Sequence, residues 1–172
     1  MIATEVGART CLDRLLLESD DKAFGFKMQA VAAHILLRLG HTVFEVNRLG
    51  HPDIISCAEG VEYRFEVEAE VHGHRKRILG DADFAGLTGT AALGYFALAV
   101  SFPRPYWVVV PIEELIDRGT PSGNATLEAL SDTYLSDAWT KSHLDLLRTS
   151  CRTIRERSFE QLARRAVEGR TL

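Results

Sequence analysis

What this chain lacks narrows its class before any motif is read. No apolar run approaches the roughly 20 residues a membrane-spanning helix needs, and the mean hydropathy is -0.04, so a soluble protein without a membrane partner is expected. The opening residues, MIATEVGART, carry no basic-then-apolar secretion signal, which points to the cytoplasm. Only three cysteines occur, Cys11, Cys57 and Cys151; an odd, widely scattered set fits neither a disulfide framework nor a zinc knuckle, and buried or half-buried thiols are expected. There is no internal repeat, low-complexity tract, P-loop or Gly-x-Gly-x-x-Gly run, and no organic cofactor is expected.

What is present is ordinary globular arithmetic. The chain has 172 residues, 46% hydrophobic and 26% charged, enough for one domain with a sizeable core. The net charge of -4 speaks against a polyanion partner in bulk, but the charge is uneven. Residues 140–172 hold eight of the 20 Lys and Arg and only four of the 24 Asp and Glu. This basic stretch is either a polyanion-facing arm or a solvated helix face.

Periodicity organises the rest. Helices are expected over Arg9 to Glu18 and, after a Ser19-Asp20-Asp21 capping cluster, over Lys22 to Leu39 with a stop at Gly40. Phe24, Met28, Val31, Ile35 and Leu39 recur at steps of three and four, the signature of a buried stripe. TVFEVN (42–47) reads as a strand and Asp53 to Val71 as a hairpin turning at Ala58-Glu59-Gly60. A small-residue helix follows near 83–93, then the apolar strand YFALAVSF (95–102), a turn at Pro103-Arg104-Pro105, the strand YWVVV (106–110) and a short helix opening at Pro111. Residues 119–125 (GTPSGNA) are linker-like, and the chain beyond them reads as helical. The expectation is an α/β sandwich with a central mixed sheet flanked by helices: a core over 1–118 with N-terminal helices, and a helical C-terminal extension over 119–172 packed on that core or on a second subunit.

The hairpin carries the chemistry. Along its second strand Glu62, Arg64, Glu66, Glu68 and Glu70 alternate with Tyr63, Phe65, Val67, Ala69 and Val71, so one face is apolar and the other ionised. With a two-residue turn at Glu59-Gly60, Asp53 falls opposite Glu66 on the same face. Like charges at that separation, about 5 Å between Cβ atoms, repel and call for a cation. A divalent metal held by carboxylate oxygens is the economical one, and Mg2+ (or Mn2+) suits a site of few protein carboxylates. A three-residue turn would instead slip Asp53 to the opposite face, and a solvated acidic edge strand would need no metal at all.

Asp53, then twelve intervening residues, then Glu66-Val67-Glu68, with Gly50-His51-Pro52 before them, resembles the PD-(D/E)XK nuclease superfamily in its restriction-endonuclease-like and archaeal Holliday-junction-resolvase-like branches. Gly25 to Gln29 on the helix before the first strand resembles the helix-acid position, and the segments after Gly86 resemble the second half of that core, so the likeness spans about residues 22–118. It implies a restriction-endonuclease-like fold and a Mg2+-dependent DNA endonuclease, in which Asp53 and Glu66 are metal ligands and catalytic residues. Two positions depart from the pattern: Glu68 stands where a lysine is usual, giving a Glu-x-Glu variant, and Gln29 stands at the helix acid. Within the resemblance Glu68 is a second metal ligand or general base and Gln29 binds a metal-bound water, while Lys27 or Lys76 are candidates to replace the missing lysine. His74, Arg75, Lys76 and Arg77 form a basic loop suited to DNA phosphates, and a homodimer follows if paired strands are cut. The alternative from the same departures is a catalytically degenerate nuclease-fold protein that binds nucleic acid or a protein partner; a third is an unrelated α/β protein with an acidic surface.

Overall fold

A computed structural model describes residues 2–49, 52–70, 95–99, 105–111 and 136–172. In chain order these form α1 (Ile2–Glu18), α2 (Asp21–Arg38), β1 (Thr42–Val46), β2 (Ile54–Ala58), β3 (Val61–Glu70), β4 (Tyr95–Ala99), β5 (Tyr106–Val110), α3 (Asp137–Glu156) and α4 (Phe159–Val167). The helix expected near 83–93, the basic loop His74 to Arg77, the short helix after Pro111 and the linker 119–125 all lie outside the described residues.

The five strands make one mixed sheet in the order β1-β2-β3-β4-β5. β1, β2 and β3 form an antiparallel meander, β4 runs parallel to β3, and β5 returns antiparallel to β4. The β2–β3 turn is the two-residue one: Ala58 pairs with Val61, and Glu59 and Gly60 both have positive φ, 52° and 79°. Two successive left-handed residues make a type I′ turn, whose twist matches the strands it joins.

Helix ends follow their local chemistry. Asp20 accepts the Ala23 N–H at 2.7 Å to start α2. At its far end Gly40, at φ 90°, allows the His41 N–H to return to the Leu36 carbonyl and the Gly40 N–H to reach Leu37, a Schellman closure. The C-terminal stretch is two helices, because the chain turns at Arg157 and Ser158 restarts it through a capping box with Gln161.

One apolar core unites the helices with one face of the sheet. Phe24, Met28, Val31 and Ile35 of α2, Leu12 and Leu15 of α1, Leu147 and Ile154 of α3 and Leu162 of α4 pack with Val43, Ile54, Phe65 and Trp107. The C-terminal helices therefore share the core of this chain, whereas Val167 is exposed. β5 is covered at Trp107 on its outer edge, where the Trp107 N–H donates to Thr140 Oγ1 and the Ser136 N–H to the Trp107 carbonyl.

The structure corrects the cysteine reading. Cys11 of α1 and Cys151 of α3 form a disulfide with Cα atoms 5.7 Å apart, and Cys57 is the free thiol. The partners are 140 residues apart; only the docking of α1 on α3 brings them together, and spacing alone carries no trace of it. None of the described helices is long and apolar enough to cross a membrane.

Candidate functional site

The site grows out of the length of β3. It has ten residues and its neighbours have five, so one partner cannot cover it. Residues 61 to 65 pair with β2, ending at Ile54 opposite Phe65, and residues 66 to 70 pair with β4, beginning at Glu66 opposite Tyr95. Between these ladders the sheet forks, and Asp53 and Glu66 stand at the crotch.

Backbone hydrogen bonding explains why an aspartate stands there. Along β3 the N–H groups point alternately to the two neighbouring strands, and that of Val67 points to the β2 side, beyond the last β2–β3 pair. Val67 is buried, and a buried N–H without an acceptor is costly. Asp53 Oδ2 accepts it at 2.8 Å. One lone-pair site of the carboxylate is used in this bond. Asp53 is 7% and Glu66 3% exposed, so both acids are buried, and each adjoins the last β2–β3 pair, Ile54 opposite Phe65. Glu68 follows, half-buried, on the same face of β3 by alternation.

A residue passed over in the sequence holds this corner. Asn47, just past β1, donates its backbone N–H to the Asp53 carbonyl at 2.7 Å and its Nδ2 to the Pro52 carbonyl at 3.0 Å. These two bonds fix the backbone that presents Asp53. The signal was the asparagine itself, a residue that favours side-chain bonds to nearby backbone.

The other expected site residues are placed differently. Gln29 is on α2, and its Oε1 is buried without a hydrogen-bond partner among the described residues. Lys27, a candidate for the missing lysine, is engaged elsewhere: its Nζ donates to the Ile154 and Arg155 carbonyls at 3.1 and 2.8 Å, closing the C-terminus of α3. Burial holds its pKa below the usual lysine value, with Glu18 acting in the opposite sense. The fork's other side of the core is aromatic, with His41 edge-on to Tyr63 and its Nδ1 3.0 Å from Ser56 Oγ.

The basic C-terminal stretch is largely occupied. Arg148 pairs with Asp145, Arg152 with Glu156, Arg155 with Glu18 and Arg170 with Glu168, while Arg165 donates to the Thr171 carbonyl. Five of its eight basic residues thus meet the chain's own acids or carbonyls. Among the described residues no group of three or more His, Cys, Asp or Glu side chains is arranged to hold a metal ion, so a cation at the fork would rest on two acids with water or phosphate completing its shell. No family model, curated protein or solved structure matches this chain.

Proposed function

We propose that this protein is a Mg2+-dependent DNA endonuclease built on a restriction-endonuclease-like α/β sandwich, with Asp53 and Glu66 at its centre. The observation that carries the reading is the fork: where β3 changes partner, two buried acids adjoin the last β2–β3 pair, one of them pinned by the Val67 N–H. Two buried carboxylates brought close together favour a cation or a shared proton, and an all-oxygen donor pair suits Mg2+ or Mn2+.

A bound divalent ion would supply charge neutralisation at the scissile phosphate and a more acidic water. The chain's own residues would do the rest. Asp53, held by Asn47 and Val67, and Glu66 keep their oxygens at fixed positions, so little reorganisation accompanies the reaction. Glu68, partly exposed and one step further along the same face, is the acceptor for the proton of the attacking water. DNA would be the partner, with His74 to Arg77 contacting phosphates and a homodimer serving paired strands.

The test is cleavage of branched, flapped and linear duplex DNA in Mg2+ or Mn2+. The wild type cuts at least one substrate, and Asp53→Asn and Glu66→Gln lower the rate by on the order of 10²-fold or more. A wild type inert on all three substrates sinks the enzymatic reading. The competing reading, a degenerate nuclease-fold binder, draws support from Lys27, whose ammonium is committed to α3 carbonyls rather than to the fork. Salt-sensitive DNA binding without cleavage in either metal would replace the first reading with this one.

A further inference from the structure

We propose that Cys11 and Cys151 form a reversible thiol–disulfide site that staples α1 to α3 and is opened through Cys151. The two helices run side by side in the same direction. Gly7 lies against the stem of Arg148, where an added Cβ would sit 3.5 Å from the Arg148 Cγ; Cys11 is bonded to Cys151; and Glu18 pairs with Arg155. Steps of four and seven on α1 against three and four on α3 keep all three layers on facing sides of the helices. The disulfide is the middle layer of a seam that has other support.

That support decides what reduction does. Ala8, Leu12 and Leu15 of α1 are fully buried, as is Leu147 of α3, and the Glu18–Arg155 pair closes the far end. The apolar seam persists when the sulfur–sulfur bond is broken, so the dithiol protein stays folded and only the tightness of α1 changes. The two sulfurs differ in access: Cys11 is 1% exposed and Cys151 is partly exposed. A thiolate arriving from solvent meets Cys151 first.

The exchange balances as follows. One thiolate of an external dithiol bonds to Cys151 Sγ; the Cys11–Cys151 bond breaks, and its electron pair leaves on Cys11 Sγ, which takes a proton. The second thiol of the reductant then attacks its own sulfur in the mixed disulfide and releases Cys151 as a thiol. Two electrons and two protons pass to the protein, and the reductant becomes a disulfide. A small-molecule disulfide runs the sequence in reverse. Cys57, on β2 and outside the pair, is a free thiol in both states and serves as an internal standard.

The experiment uses the full chain without DNA or metal, so its outcome is separate from that of the nuclease reading. Protein equilibrated with oxidised dithiothreitol, then denatured and labelled with maleimide, gives one thiol; equilibrated with reduced dithiothreitol, it gives three. The native dithiol form keeps its far-ultraviolet circular dichroism, melts roughly 10 °C lower, and is alkylated by iodoacetamide at Cys151 about ten-fold faster than at Cys11. Cys151→Ser melts at the reduced wild-type temperature in either buffer; should that variant not fold, chemical reduction of the wild type still decides. Three thiols after oxidising equilibration, an unchanged melting temperature, loss of helical signal on reduction, or equal alkylation of the two cysteines would each overturn the proposal.

Discussion

Asp53 accepts the Val67 N–H whether or not it ever meets a cation, and this separates its effect on stability from its effect on chemistry. Asp53→Ala leaves that buried donor unpaired and is expected to cost about 1–3 kcal/mol of unfolding free energy by urea denaturation. Asp53→Asn keeps a carbonyl oxygen in place and should cost less than about 1 kcal/mol. A purely catalytic aspartate would show no such difference. The position was legible in the sequence as an acid opening an apolar strand, and the bond to Val67 was not, because it depends on β2 stopping one pair short. Lys27 shows the opposite limit: its place in α2 was readable, but its role as a closure for α3 requires Ile154 and Arg155 to arrive from more than a hundred residues away.

At the scale of elements, the β2–β3 hairpin rests on two residues with positive φ, only one of them glycine. Glu59 sits at φ 52° with a side chain that disfavours it, so Glu59→Asn should stabilise the protein by about 0.5–1 kcal/mol, and Gly60→Ala, at φ 79°, should destabilise it by about 1–2 kcal/mol. Both are read as shifts of the urea midpoint, and a null result in both would mean that the turn relaxes freely. This hairpin was the most legible element, since period-two alternation and Glu59-Gly60 specify register together. Strand β5 was read at its true bounds. The fork was visible only as an excess of length in β3, and the break between α3 and α4 was missed although Ser158-x-x-Gln161 is a capping-box signature. Helix α1 begins at Ile2 rather than Arg9, because its first two turns are held by docking on α3 and carry little pattern of their own.

For the whole molecule, two buried histidines contribute to the response to acid between pH 6 and 4. His34 donates Nε2–H to the Leu162 carbonyl at 2.9 Å, and burial pushes its pKa down to about 4. His143, fully buried against the edge of Trp107, is pushed down to about 3 by the same cause. Both bind protons near pH 6.5 when unfolded and resist them when folded, so the stability they confer is present above that pH and is lost as pH falls toward 4 and 3. The slope between pH 6 and 4 approaches about 2.7 kcal/mol per unit from the pair and halves in His143→Leu; urea midpoints from pH 7 to 4 would reveal a flat profile if the imidazoles titrate normally. The fork also bears on the order in which the chain assembles. The β2–β3 pairing spans a two-residue turn and closes on the microsecond scale, whereas β4 must be brought across the chain from residue 70 to residue 95 against loop-closure entropy. The β2–β3 hairpin that leads into Asp53 and Glu66 is thus the earliest and most local piece of the sheet, and mutations that slow the arrival of β4 should delay folding while leaving the β2–β3 register intact.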